Sequence, residues 1–350
     1  MAEKATVAVI GCGGVAGYAH LPALAKMDNV QLVGLCDINQ AKAKEKASVF
    51  GGKVYTDYEK MLRELQPQRV HVLTPESVHV QPAIAAIRSG ADVLVEKPMA
   101  ESVAACRELL AACDGGQLLG VDYNYRYIPV MAKAQQVLRD GAIGDLLGIT
   151  CTCQNFCWHQ CLDLARWLAG SVVRVRGAQE WCRPGEPGQG APAPARAFPS
   201  HHPTVMFGHP MIASALLEHE HGTITQITAT SQIDLADVMF EMRLIGTHGW
   251  LRIDKVAIED VVGRLRRFPS TEAADAVPPE SRGELIEFFP ESQGGFAISF
   301  NASIRAFHRA ADSRLAPPAN AAYGLEIVAI EAAARKAVDE GRAVALAEVR

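Results

Sequence analysis

The sequence predicts a two-domain α/β protein. A doubly wound parallel sheet fills residues 1–122, and an α+β domain with a largely antiparallel sheet fills residues 123–350. Three observations carry this. An apolar, β-branched strand, Thr6-Val-Ala-Val-Ile10, runs directly into the glycine-rich stretch Gly11-Cys12-Gly13-Gly14-Val15-Ala16-Gly17. Short apolar strands and helical segments then alternate, with short connections, as far as Val121. From Asp145 onward the strands lengthen and alternate apolar with polar residues.

In the first domain Val30 to Cys36 reads as the second strand and Gln40 to Phe50 as a helix stopped by Gly51-Gly52. Tyr58 to Leu65 is a short helix, Val70 to Leu73 a strand, and Val78 to Ser89 a helix ending at Gly90. Asp92 to Val95 is a strand that delivers Glu96-Lys97-Pro98. Ser102 caps the next helix, and Gln117 to Val121 is the last strand of the series. Beyond Asp122 a helix runs from Val130 to Arg139. Strands follow over Gly148–Gln154, Val172–Trp181, Val205–His219, Thr223–Gln232, Val238–Ile245 and Gly249–Asp254, interrupted by a helix over Leu162–Leu168. The Pro- and Gly-rich stretches Arg183–Pro203 and Pro269–Arg282 read as surface loops, and helices near Ile298–Ala311 and Tyr323–Glu340 close the chain.

Composition narrows the class. With 49% hydrophobic and 21% charged residues, the chain of 350 can bury a sizeable core. A formal net charge of -5 with no basic face argues against nucleic acid as a partner. No apolar run reaches the roughly 18 residues of a membrane span, and no signal-peptide pattern precedes the first strand. Nine cysteines, an odd number, fit a reducing compartment better than a disulfide framework. The expectation is a soluble cytoplasmic protein.

The glycine-rich stretch follows the G-x-G-x-x-G/A pattern of dinucleotide-binding turns. Gly11 would make the tight turn, Gly13 would leave room for a pyrophosphate to approach the backbone, and Ala16 would let helix and strand pack closely, with Gly14 and Val15 counted among the cofactor-binding residues. Asp37, at the end of the second strand, can accept a hydrogen bond from a ribose 2′-OH. With no Arg after it in Ile38-Asn39-Gln40, it favours NAD over NADP, while NADP stays open.

Further motifs in order are Thr74-Pro75-Glu-Ser-Val-His79, Glu96-Lys97-Pro98, Asn124-Tyr-Arg126-Tyr-Ile-Pro129, Gly141-Ala-Ile-Gly144-Asp145, Asp163-Leu-Ala-Arg-Trp-Leu-Ala-Gly170 and Gly246-Thr-His-Gly249. Together with the glycine-rich turn and His20 behind it, they resemble the glucose–fructose oxidoreductase, inositol dehydrogenase and MocA superfamily. The resemblance implies a Rossmann domain binding NAD or NADP and a second domain with an open-faced sheet, often a dimer or tetramer interface. It also implies a nicotinamide in the cleft between domains and hydride transfer at a secondary alcohol of a sugar, sugar derivative or cyclitol.

By the same resemblance, Lys97 contacts the substrate hydroxyl and the nicotinamide ribose. Glu96 lies beside that ribose, Thr74, Pro75 and His79 line the cofactor groove, and Asn124 and Arg126 face the cleft. Arg126 reads equally well as an interdomain ion-pair residue. The chain departs from the family at Asn155-Phe156-Cys-Trp-His159-Gln160-Cys-Leu-Asp163, where aligning on Asp163 puts Gln160 at the usual catalytic His. His159 and Asp163 stand at i and i+4 and could act as base and orienter if the helix starts early. Loss of that function leaves two alternatives: a dinucleotide-binding regulatory or sensor protein, or a glycosidase-like relative using NAD transiently. The cysteines at 151, 153, 157 and 161 read as packing thiols, and no metal site is expected.

Overall fold

A computed structural model describes residues 4–182, 211–230, 239–256, 261–267, 285–287 and 295–350. The expected loops Arg183–Pro203 and Pro269–Arg282 lie outside the described residues. The chain divides into two compact units, residues 1–124 with 297–329 and residues 125–296 with 330–350. The single boundary expected after residue 122 therefore falls two residues later in the structure, and a C-terminal segment is shared out between both units.

Six parallel strands form the sheet of the first unit. They are β1 (Ala5–Ile10), β2 (Val30–Cys36), β3 (Lys53–Tyr55), β4 (Arg69–Val72), β5 (Asp92–Val95) and β6 (Leu119–Val121), in the spatial order β3-β2-β1-β4-β5-β6. The order reverses between β1 and β4, the switch point at which open α/β sheets bind ligands. β4 and β5 are buried along their whole length, as strands covered on both faces must be. Helix starts follow local chemistry: the side chains of Asn39, Asp57 and Ser102 accept backbone N–H bonds at the starts of Gln40–Phe50, Tyr58–Leu65 and Val103–Ala112. One expectation changes in detail. Helix onset after the glycine-rich turn is a π-helical turn, Ala16–His20, before the short α-helix Leu21–Ala25 with Pro22 in its first turn.

Among the described residues, the second unit is built on a nine-stranded mixed sheet. β7 (Leu146–Gln154) and β10 (Ile224–Thr230) are its parallel pair, and the remaining neighbours among β8 (Val172–Cys182), β9 (Met211–His219), β11 (Phe240–Gly246), β12 (Gly249–Val256), β13 (Val261–Arg267), β14 (Leu285–Glu287) and β15 (Val344–Ala345) run antiparallel. Alternation fixes which face is dry. Ile149, Cys151 and Cys153 of β7 are buried, as are Thr225, Ile227 and Ala229 of β10 and Phe240, Met242 and Leu244 of β11. The helix Trp158–Ala169 packs on β7 and β10. It begins four residues earlier than the sequence pattern suggests, after a 3₁₀ turn at Asn155–Cys157. Trp158 at its first position is fully buried, which ties the new helix start into the core.

Trp158→Ala should cost roughly 3–5 kcal/mol of folding stability, the range for emptying a large core site. A urea midpoint unchanged from wild type would show that the early helix start is not anchored there.

Candidate active site

The site in the first unit is built from the carboxyl ends of its strands. The hydrogen-bond ladder continues past each strand: the Gly11 N–H donates to the Cys36 carbonyl at 2.8 Å, and Leu73 to Ile10 at 2.7 Å. Glu96 donates to Val72 at 3.0 Å, and Asp122 to Val95 at 2.9 Å. These bonds align Gly11, Leu73, Glu96 and Asp122 along one rim.

Gly11 has φ +96°, and a Cβ there would meet the Leu73 carbonyl carbon at 2.7 Å. Gly13 is the opposite case, since a Cβ would meet nothing within 4 Å. Packing within the protein does not demand a glycine at 13, but a phosphate approaching the backbone would. Gly14 is nearly as open, with only Tyr18 at 3.8 Å, and Ala16 is fully buried in its packing role. Val15, the residue before the π turn, stands at its N-cap. Asp37 braces the turn: one carboxylate oxygen accepts the Cys12 N–H and the other the Asn39 N–H, each at 2.8 Å. Each oxygen keeps a lone pair for a ribose hydroxyl. Thr74 Oγ1 is buried without a hydrogen-bond partner among the described residues. Open space over Gly13 and an orphaned hydroxyl on the same rim fit a dinucleotide.

The remaining sequence candidates separate. Pro75 is exposed beside Thr74. His79, expected to line the cofactor groove, is fully buried with Nε2 3.0 Å from the Met99 carbonyl, and burial pushes its pKa down. It supports the backbone just beyond Glu96-Lys97-Pro98, where Lys97-Pro98 is cis, and offers no surface to a ligand. Glu96 and Lys97 are half-buried at the end of β5. Asn124, also buried, donates to the Ser299 hydroxyl at 2.9 Å.

In the second unit Arg126 forms a buried ion pair with Asp163, its Nε 3.2 Å from Oδ2, and lies 5.7 Å from the Trp167 ring centre. The ion pair of Arg126 is thus formed within the second unit rather than between domains. It also commits Asp163 to the guanidinium, so the expected orienter of His159 is engaged elsewhere. His159, itself buried on the first turn of its helix, pairs through Nε2 with Glu331. Burial would raise the Glu331 pKa, but the charge of His159 and the Arg335 guanidinium, 2.9 Å away, take it down to about 2. Sequence reasoning missed Glu331 because its only local signal is an i,i+4 pair with Arg335, a spacing common on solvated helix faces. Gln160 is buried beside His159. The Sγ atoms of Cys151, Cys153 and Cys161 lie within 4.8 Å of one another under the sheet. His219 is buried between the Gly170 carbonyl and Thr225 Oγ1, at 2.8 Å from each.

Comparisons with known proteins agree with this geometry. Residues 5–123 match the oxidoreductase family described by its NAD-binding Rossmann fold. The D-apiose dehydrogenase of Paraburkholderia graminis is 26% identical over 297 residues, 78% of this chain and 72% of that protein. The D-glucoside 3-dehydrogenase of Escherichia coli is 28% identical over 156 residues, 43% of this chain and 44% of that protein. A levoglucosan dehydrogenase solved with NADH and levoglucosan has the same fold, with a TM-score of 0.80 at 19% identity over 98% of this chain and all of the other.

Two predictions follow from the site. Gly11→Ala should destabilise the fold by about 1–3 kcal/mol, whereas Gly13→Ala should leave the melting temperature unchanged and weaken NAD binding; calorimetry on both separates the roles. Glu331→Gln should cost roughly 3 kcal/mol at pH 7, the size of its pKa depression. Because the folded pKa is depressed, that stability is complete above about pH 4.5 and lost as pH falls toward about 2. Urea unfolding of wild type and variant should therefore converge across this window.

Proposed function

We propose, from the premise that the chain belongs to the Gfo/Idh/MocA oxidoreductase superfamily, that it is an NAD-dependent dehydrogenase acting on a secondary alcohol of a sugar-like or cyclitol substrate. The observation that carries this is the rim itself: an open glycine turn braced by Asp37, an unpartnered Thr74 hydroxyl and Lys97 at the end of the neighbouring strand. The named substrates of the relatives, D-apiose and a D-glucoside, support the substrate class.

NAD, when bound on this rim, would supply the hydride acceptor for the alcohol carbon. The protein has to hold the cofactor and receive the hydroxyl proton. Gly11 to Ala16 supply backbone N–H groups for the phosphates. Asp37 accepts from the ribose 2′-OH, and its charge disfavours a 2′-phosphate, so NAD is the preferred cofactor. Lys97 is the proton and oxyanion partner of the reacting hydroxyl. His159 is held by Glu331 rather than by Asp163. Cytoplasmic location and a dimeric or tetrameric state belong to this proposal as well; no described helix is long and apolar enough to cross a membrane.

Purified protein with NAD+ and a panel of aldoses, glycosides and cyclitols should give absorbance rising near ~340 nm, as carbinol oxidation reduces the nicotinamide. Lys97→Ala should lower kcat by ~10²–10⁴-fold with NAD affinity nearly unchanged. Cofactor binding without turnover across the panel would favour a sensor instead, and normal turnover of Lys97→Ala would remove that residue from the mechanism.

A further inference from the structure

Three histidines from distant parts of the chain form a continuous buried line inside the first unit. His20 Nδ1 lies 3.0 Å from His71 Nδ1, and His71 Nε2 lies 3.0 Å from His308 Nε2. His308 Nδ1 is 2.7 Å from Arg69 Nη1, and Arg69 in turn pairs with Asp312. At the other end His20 Nε2 stands 3.2 Å from Glu96 Oε1 and 3.3 Å from Asp122 Oδ2. All three rings are fully buried. None of them is needed to bind a dinucleotide or to receive the hydroxyl proton, yet the line ends on the carboxylate next to Lys97.

The donor inventory gives the line a direction. A guanidinium only donates and does not lose its proton. His308 therefore accepts at Nδ1 and carries its proton on Nε2, which donates to His71 Nε2. His71 then carries its proton on Nδ1 and donates to His20 Nδ1. His20 is left with its proton on Nε2, aimed at the two carboxyl groups. We propose that Arg69, His308 and His71 are positioning residues that hold His20 as a neutral donor to Glu96 and Asp122, and thereby set the charge around Lys97.

The opposite polarity would make His20 an imidazolium donating to His71. Every ring would reverse, and His308 would turn an N–H toward Arg69. Burial opposes a charge on His20, while hydrogen bonds to Asp122 and Glu96 favour one and take its pKa up to about 9. The two ends of the line thus compete, and only one can yield. Asp122 is raised by burial and can hold the proton itself; Arg69 has no such alternative. Burial also keeps His71 well below its ordinary value and His308 at about 3, so both are neutral. The other groups facing the line are the Tyr18 phenol and Lys97 near the carboxyl pair, the Ser303 hydroxyl on Asp122, and Arg305 near His308. Arg305, like Arg69, disfavours a proton on His308.

The kinetic part of this inference rests on the assignment of Lys97 as proton partner, and the tautomers do not. Long-range proton–nitrogen correlation of the imidazoles in the full-length protein near neutral pH reads them directly. The expected pattern is His308 protonated at Nε2, His71 at Nδ1 and His20 at Nε2, all neutral. His308→Leu frees His71 to reverse, so His20 should become imidazolium. A cation there disfavours the Lys97 ammonium, and the limb of the pH profile of kcat/KM that reports Lys97 should move down by about one unit, tenfold in the proton equilibrium. His308→Gln, whose carbonyl can accept from Arg69 while its NH2 donates to His71, should restore both signals. An imidazolium at His20 or an Nε2-protonated His71 in the wild type overturns the proposal, as does His308→Leu with both signals unmoved. If the tautomers are as expected but Lys97→Ala retains turnover, the reading of Lys97 fails and the line of histidines stands.

Discussion

The first unit depends on the continuation of its β-ladder beyond the ends of the strands. Bonds from Gly11 to Cys36, Leu73 to Ile10, Glu96 to Val72 and Asp122 to Val95 bring four connections into one row. The approach is so close at Gly11 that a single methyl group would strike the Leu73 carbonyl. Asp37 adds a carboxylate that takes up the Cys12 N–H, which would otherwise be left in the turn without a partner. Once this rim is fixed, Thr74, Glu96, Lys97 and Asn124 have little freedom in where they emerge. Function is assembled from strand ends because parallel strands deliver their carboxyl termini to the same edge.

Buried charge is the second constraint, and both units meet it by pairing across long sequence separations. Within the second unit Arg126 pairs with Asp163 and His159 with Glu331. In the first unit Arg69 is matched by Asp312, and His20 Nε2 lies within 3.3 Å of a carboxylate oxygen of both Glu96 and Asp122. An isolated charge in such positions would be costly, so each partner is as constrained as the residue it serves.

Much of the cofactor end was legible in the chain. Hydrophobic periodicity located the strands and helices of the parallel sheet, and the glycine spacing with Asp37 identified the turn, because these signals are local and obey fixed geometry. His79 marks where local signals stop: a histidine after a strand end can face a ligand or turn inward, and only packing shows that its ring meets the Met99 carbonyl. The helix over the second sheet was placed too late because Trp158-His159-Gln160-Cys161 carries no cap signal. Its start is set by burial of Trp158 against the sheet.

The sequence by itself determined the α/β class, the order of the parallel strands' elements, the glycine turn and the residue types at the strand ends. Local propensity and spacing suffice for these. Tertiary structure alone decided the partners: that Asp163 belongs to Arg126, that Glu331 belongs to His159, and that His20, His71 and His308 touch in a line closed by Arg69. Such pairings depend on which distant segments the sheets bring together, and no spacing along one strand or helix encodes them.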